Sequence, residues 1–223
     1  MLNGLTEFDI IPEYKIRGTT FWVRVPGSDN PVARIRRDVG VTGSVGGLHR
    51  VFVGPNLDEF AGFVTPTGAY DASRTKVGSL TVDDSGYATL EKPVVFCQEN
   101  MEPLTEHASG LMGRIMRLPL MGYLVYFLNP VVVMAGMLVG ARRAADFRSA
   151  HSPGFRMAKV TRVKNHFRFS ISDPRIDVLL VFSCFLVAHS SWGYLNPKKS
   201  LTSTVSAFDP KSWKGPRALA VRS

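Results

Sequence analysis

The stretch Phe167–Ala188, FRFSISDPRIDVLLVFSCFLVA, decides how the rest of the chain is read. In its first part Phe167, Phe169 and Ile171 fall on one face of a strand, with Arg168 and Ser170 on the other. Asp173-Pro174-Arg175 then breaks the alternation, and an Asp followed by Pro suits the start of a helix. In the helix expected over Ile176–Ala188 the core VLLVFSCFLVA is apolar on every face, so it must be buried, in protein or in lipid. At about 1.5 Å per residue this run reaches roughly 20 Å, well short of the ~30 Å core of a bilayer. Burial inside protein is the expectation, and the container must come from the preceding chain.

That chain is rich in strand signals. Thr19–Val25 (TTFWVRV) is aromatic and β-branched, and Pro26-Gly27-Ser28-Asp29-Asn30-Pro31 turns it back into Val32–Arg37 (VARIRR), which alternates as a strand with one wet face. Leu48–Val53 is another strand, closed by Gly54-Pro55-Asn56. Lys76–Val82, the turn Asp83-Asp84-Ser85-Gly86 and Tyr87–Lys92 read as a hairpin, and Phe155–Val163 with His166–Ser172 as a second, turning at Lys164-Asn165. The rhythm is strand-turn-strand with no exact internal repeat. It predicts a mainly β fold, an antiparallel β-barrel wrapped around a buried apolar C-terminal helix. Residues 1–18 form a lead-in, 19–192 the barrel domain with an apolar insertion at 118–141, and 193–223 a basic flexible tail.

The 223 residues carry a formal charge of +9, spread unevenly. Residues 1–117 hold 12 Lys+Arg against 14 Asp+Glu, residues 118–175 hold 9 against 2, and residues 176–223 hold 6 against 2. A basic C-terminal half suggests an anionic partner, nucleic acid or an anionic membrane surface, or else a solvated basic face. Cys97 and Cys184 are too few for a disulfide framework and point to a reducing, intracellular setting. Met1–Tyr14 lacks the basic and apolar regions of a secretory signal.

Leu118–Ala141, LPLMGYLVYFLNPVVVMAGMLVGA, is a second apolar run, an additional helical segment without one charged residue in 24 positions. Arg114 and Arg117 precede it, and Arg142, Arg143 and Arg148 follow. Three readings compete. A single span would put the two halves of the chain on opposite sides of a membrane and destroy a shared barrel. Burial in protein, or a partner or dimer interface, suits part of the run. A membrane-inserted hairpin uses Asn129-Pro130 as its bend, because proline removes a helix hydrogen bond and disfavours helix at the residue before it. Both basic flanks then face the cytoplasmic, anionic side. Leu118 begins the inserted run, Tyr123 and Tyr126 suit either the interface or a protein core, and Gly136 and Gly140 form a GxxxG suited to close helix packing.

Successive hairpins, an Asp-Pro turn and a final apolar helix resemble the Tubby C-terminal-like fold of LURP-one-related proteins and phospholipid scramblases. The residues that carry the resemblance are TTFWVRVPGSDNPVARIRR, KVGSLTVDDSGYATLEK and FRFSISDPRIDVLLVFSCFLVA, over about Thr19 to Trp192. It implies a β-barrel around a hydrophobic helix and contact with phosphoinositide or phospholipid. The chain departs from scramblases in having no acidic calcium loop, Asp83-Asp84-Ser85-Gly86 being better explained as a turn, and no cysteine cluster for palmitoylation. Scramblase activity is therefore not carried over.

The chain contains no GxSxG, HExxH, GxxxxGK[ST] or GxGxxG, and its histidines, His49, His107, His151, His166 and His189, show no metal-ligand spacing. Glu99, Glu102 and Glu106 read as a solvated acidic loop. Phe167 and Phe169 around Arg168 could stack bases, but the same spacing is that of any half-buried strand, which disfavours nucleic acid. The expectation is a non-enzymatic, membrane-associated protein on the cytoplasmic side, without catalytic, cofactor or metal residues. Arg142, Arg143, Arg148, Lys198 and Lys199 would contact anionic lipid headgroups, and a homo-oligomer is possible. An integral membrane protein with one or two spans (118–141, 176–192) and a soluble ligand- or protein-binding barrel are the alternatives.

Overall fold

A computed structural model describes residues 2, 4–15, 18–37, 48–82, 93–108, 144–160 and 166–189. Twelve antiparallel strands form a closed barrel in which each strand pairs with its neighbour in sequence and β1 closes against β12. They are β1 Glu7–Lys15, β2 Gly18–Arg24, β3 Pro31–Arg37, β4 His49–Val53, β5 Glu59–Thr65, β6 Gly68–Asp71, β7 Lys76–Val82, β8 Val94–Gln98, β9 Leu104–Ala108, β10 Ala144–Arg148, β11 Phe155–Lys159 and β12 Phe167–Ile171. One helix, α1 Val178–His189, follows the last strand. An eight-stranded barrel has room only for its own side chains, whereas twelve leave space for a helix of ~10 Å diameter.

The helix occupies that space. Phe182 meets Phe8 of β1 edge-on at 5.6 Å, and Phe185 meets Phe21 of β2 at 4.9 Å and Phe167 of β12 at 5.7 Å. On the opposite wall the helix passes so close to the sheet that side chains are excluded. A Cβ on Gly62 of β5 would stand 3.1 Å from Leu179, and one on Gly78 of β7 would collide with Leu180 and lie 2.6 Å from the Cys97 carbonyl oxygen. Alternation supplies the inner lining: Phe8 and Ile10, Ala33 and Ile35, Phe167 and Phe169 are all buried, as are the helix residues from Val178 to Ala188. Phe167, Phe169 and Ile171 do share the inward face, and being in the core they cannot stack bases. Residues 178–188 are buried within the barrel core.

Helix α1 begins two residues later than the Ile176 expected, and its cap is Asp177 rather than the Asp-Pro pair. The Asp177 carboxylate accepts from the Leu179 N–H at 2.8 Å. Burial raises the pKa of this carboxyl, against the lowering effect of the Leu179 and Leu180 amides. Gln98, at the end of β8, grips the approach on both sides: it accepts from the Asp177 N–H at 2.8 Å and donates to the Arg175 carbonyl at 2.7 Å. Asp173 instead ties the preceding loop together. Its buried carboxylate accepts from Ser152 Oγ, from the Arg175 N–H at 3.0 Å and from the Arg175 guanidinium at 2.9 and 2.6 Å.

Three further expectations are corrected. Glu7–Lys15, assigned to a lead-in, is the strand that closes the barrel, because Phe8 and Ile10 alternate inward between β2 and β12. The partner of Lys76–Val82 is Val94–Gln98, with Val82 opposite Val94, while Asp83-Asp84-Ser85-Gly86 and Tyr87–Lys92 lie outside the described residues. Glu106 does not belong to a solvated loop with the exposed Glu99 and Glu102. It points into the barrel from β9, 2% exposed, where its carboxylate accepts from the Val94 N–H at 3.0 Å.

Two outcomes follow. Phe185→Ala, which empties the contact with Phe21 and Phe167, costs about 3–5 kcal/mol of unfolding free energy, read as a lower denaturant midpoint with an unchanged slope. The hydrogen bonds from Arg175, then Ser152, hold the Asp173 carboxyl well below the usual carboxylate range against burial, which works the other way. Its folded pKa is depressed, so its contribution is fully present above the ordinary carboxylate pKa of about 3.9 and lost as pH falls below it. Asp173→Ala therefore lowers the thermal midpoint at neutral pH and flattens its decline on acidification.

Candidate functional site

Glu106 apart, the interior is filled by apolar side chains, and the arginines of β3 and β4 are found on the outer wall. In β3, Ala33 and Ile35 point inward, which turns Arg34 and Arg36 out. In β4, Val51 and Val53 point inward, which turns Arg50 and Phe52 out. The register sets Arg34 opposite Phe52 and Arg36 directly opposite Arg50. The Arg34 guanidinium lies 5.0 Å from the centre of the Phe52 ring and donates to the Leu57 carbonyl at 3.1 Å. Burial, then the charge of Arg36, lowers the Arg34 pKa, and Asp58 acts in the opposite sense. Beyond Phe52 the aromatic surface continues through Phe60 at 6.0 Å and Phe63 a further 4.8 Å on, with Tyr70 opposite Phe63. Burial raises the Tyr70 pKa.

Arg50 is only 2% exposed, whereas Arg36 is exposed. Like charges directly opposite on neighbouring strands repel by some tenths of a kcal/mol to about 1 kcal/mol. Among the described residues this wall gathers three arginines on two neighbouring strands, of which Arg36 is the exposed one.

The other charged clusters are parts of the frame. On the β1–β12 seam Arg168 donates to both oxygens of Asp9, at 2.8 and 2.9 Å, and His166 Nε2 stands 3.3 Å from Asp9 without hydrogen-bond alignment. Burial acts to raise the Asp9 pKa, but the Arg168 hydrogen bonds and the His166 charge prevail and leave it lowered. Inside the barrel, burial and then the Glu106 charge push the Cys184 thiol well above its usual pKa, so it is held as an inert neutral group. Among the described residues no group of three or more His, Cys, Asp or Glu side chains is placed to hold a metal ion, and no helix is long and apolar enough to cross a membrane.

Of the residues expected to contact lipid, only Arg148 is described. It is exposed and lies at the far end of β10 from Ala144, about 13 Å along the strand. Arg142, Arg143, Lys198, Lys199, Leu118, Tyr123, Tyr126, Asn129, Pro130, Gly136 and Gly140 lie outside the described residues. The connection that contains the apolar run is nonetheless fixed at both ends. Ala108 of β9 pairs with Ala145 of β10, so residues 109–143 leave and rejoin the barrel at one place on one rim.

Arg34, Arg36 and Arg50 had no part in the sequence-based site. The alternation of VARIRR does put Arg34 and Arg36 on one wet face, but only the β3–β4 register brings Arg50 against them. Comparison with family models, with curated proteins and with solved structures finds no match to this chain.

The two outward arginines of β3 separate in a stability measurement. Arg34→Ala removes the ring contact and the Leu57 hydrogen bond and costs about 1–2 kcal/mol. Arg36→Ala changes stability by no more than about 0.5 kcal/mol, as expected for an exposed side chain. Equal losses in chemical denaturation would contradict this division.

Proposed function

We propose that this protein is a non-enzymatic, membrane-associated barrel of the Tubby-like kind, related in type to LURP-one and scramblase proteins, that binds anionic phospholipid on the cytoplasmic side. One observation carries the reading: the connection holding the 24-residue uncharged run has both ends on paired strands, at Ala108 and Ala145. A single span with the chain's halves on opposite sides is incompatible with that pairing, whereas an excursion that enters one leaflet and returns fits it. The basic residues flanking the run, Arg114, Arg117, Arg142 and Arg143, would then meet the headgroup layer together. On the wall, Arg36 is the exposed cation suited to a headgroup phosphate, with Arg34 behind it. The closed barrel around an apolar C-terminal helix supports the Tubby-like part of the reading.

A second reading, a soluble barrel whose apolar run covers its own wall, is favoured by Leu48 and Phe63. They form a buried cluster apart from the main core, next to Phe60 and Tyr70. Flotation with vesicles separates the two. The lipid-binding protein floats with phosphatidylserine-containing vesicles and not with neutral ones, and releases as salt is raised. Each basic residue near such a surface contributes about 1 kcal/mol, so Arg36→Glu, which changes two charge units, weakens binding by about 2 kcal/mol, roughly 30-fold. Equal partitioning to both vesicle types, or to neither, would refute the proposal.

A further inference from the structure

Strand pairing draws a straight row across the outer wall. Trp22 of β2 is opposite Arg34 of β3, Arg34 is opposite Phe52 of β4, and Phe52 is opposite Phe60 of β5. All four are half-buried. On the side of this row where the β2–β3 hairpin turns, the wall is apolar and open to water. Of the three large apolar side chains exposed among the described residues, Val25 at 38% and Val32 at 37% both belong to this hairpin. Val32 is the extra residue of a bulge: Ala33 is opposite Val23 and Pro31 opposite Arg24, which leaves Val32 with no residue facing it on β2. A single exposed valine is ordinary, but two beside a row of half-buried aromatic rings make a patch of the kind used for protein contact.

The charges beside the patch are of both signs and lie on opposite sides of it. Arg24 is two residues beyond Trp22 on β2, while Asp58 is two residues before Phe60, at the entry to β5, with Glu59 next to it. Asp58 and Glu59 are exposed, and Arg24 is half-buried. Among the described residues no ion pair engages any of the three. An anionic bilayer would attract Arg24 and repel the two carboxylates. A face with a cation along one edge and carboxylates along the other suits a second copy of itself, because a two-fold contact sets each edge against the opposite one.

We infer that this face, from β2 to β5, is the surface by which two copies of the protein pair. A two-fold axis parallel to the strands, between β3 and β4, places β2 of one copy over β5 of the other. Trp22 then meets the partner's Phe60, Arg34 meets the partner's Phe52 and Arg24 meets the partner's Asp58, with Val32 beside the axis. Tryptophan and arginine are the residue types that most often carry the binding energy of protein interfaces. Arg36, two residues on from Arg34 and away from the hairpin turn, stays at the margin, so the contact does not depend on the membrane reading. Four strands about 4.8 Å apart make a face only about 14 Å wide, and the closed barrel curves away on either side. The contact is therefore at the small end of specific interfaces, and the dimer is weak, with a dissociation constant on the order of micromolar.

Sedimentation of the full chain over a range of concentrations, without lipid, tests the pairing, and a short bis-maleimide tests the face. The cross-linking uses Cys97→Ser, with the buried Cys184 left in place. The expected result is a reversible equilibrium between monomer and dimer. Facing sheets pack about 10 Å apart, so Val32→Cys, beside the axis, is cross-linked to its own copy. Val160→Cys, just after β11 and more exposed at 44%, is not. Val32→Asp puts an unpaired carboxylate into the contact from each copy and weakens the dimer by at least about tenfold. Asp58→Lys sets like charges against Arg24 and weakens it as well. A monomer at every concentration overturns the inference. So does a dimer or larger assembly that Val32→Asp leaves intact, or one in which positions 32 and 160 cross-link equally.

Discussion

An α-helix that is apolar on all sides cannot be left against water, and the packing of α1 inside the barrel is the constraint on which the other features depend. Each large apolar side chain of the helix gains about 1.5–3 kcal/mol on burial, so its enclosure is among the strongest terms in the fold. The barrel meets it with aromatic contacts from Phe8, Phe21 and Phe167 on one side and with bare backbone at Gly62 and Gly78 on the other. The sheet approaches the helix closely where it has glycine and reaches across with phenylalanine where it does not. The seam between β1 and β12 must also hold for the enclosure to exist, and there the two-point contact of Arg168 with Asp9 ties the first strand to the last.

A filled interior determines where function can reside. Polar groups inside, Glu106, Ser183 and the Cys184 thiol among them, are enclosed by core, which leaves the outer wall and the rims as the solvent-facing surfaces. On the wall the pleat sorts the side chains: Arg34, Arg36, Arg50 and Phe52 face out because Ala33, Ile35, Val51 and Val53 face in. At the rims the length of connection differs. The connections at the end where α1 begins are four to six residues long, and at the other end Ala108 and Ala145 hold the two ends of the longest, 109–143. The same hairpin geometry that closes the barrel fixes both ends of the apolar run side by side.

Much of this frame was legible in the sequence wherever a pattern is local. Phe167, Phe169 and Ile171 alternate, VLLVFSCFLVA is apolar all round, and the strand positions at Lys76–Val82 and Phe155–Lys159 follow from β propensity and turn residues. Other elements were hidden because their patterns are short or ambiguous. Glu7–Lys15 contains Pro12 and three charged residues besides Asp9, so its few inward apolar positions did not read as a barrel strand. Glu106 sits among acidic residues in sequence, and only the pleat of β9 shows that it turns inward. Asp173 and Asp177 both look like helix caps, and the choice between them is made by Gln98, from the end of β8, and Ser152, from the turn between β10 and β11.

The sequence by itself determined that a helix at the C-terminus had to be buried, that strands would enclose it, and that an uncharged 24-residue run stood beside a strong excess of arginine and lysine. These are properties of composition and period, and they need no knowledge of which segments meet. Only the tertiary structure decided which strands are neighbours, and with that the meaning of the charge. Along the chain the basic residues divide the protein into an N-terminal and a C-terminal half. In the barrel the β3–β4 register sets Arg34 and Arg36 beside Arg50, because antiparallel pairing and not order in the sequence decides which side chains are neighbours.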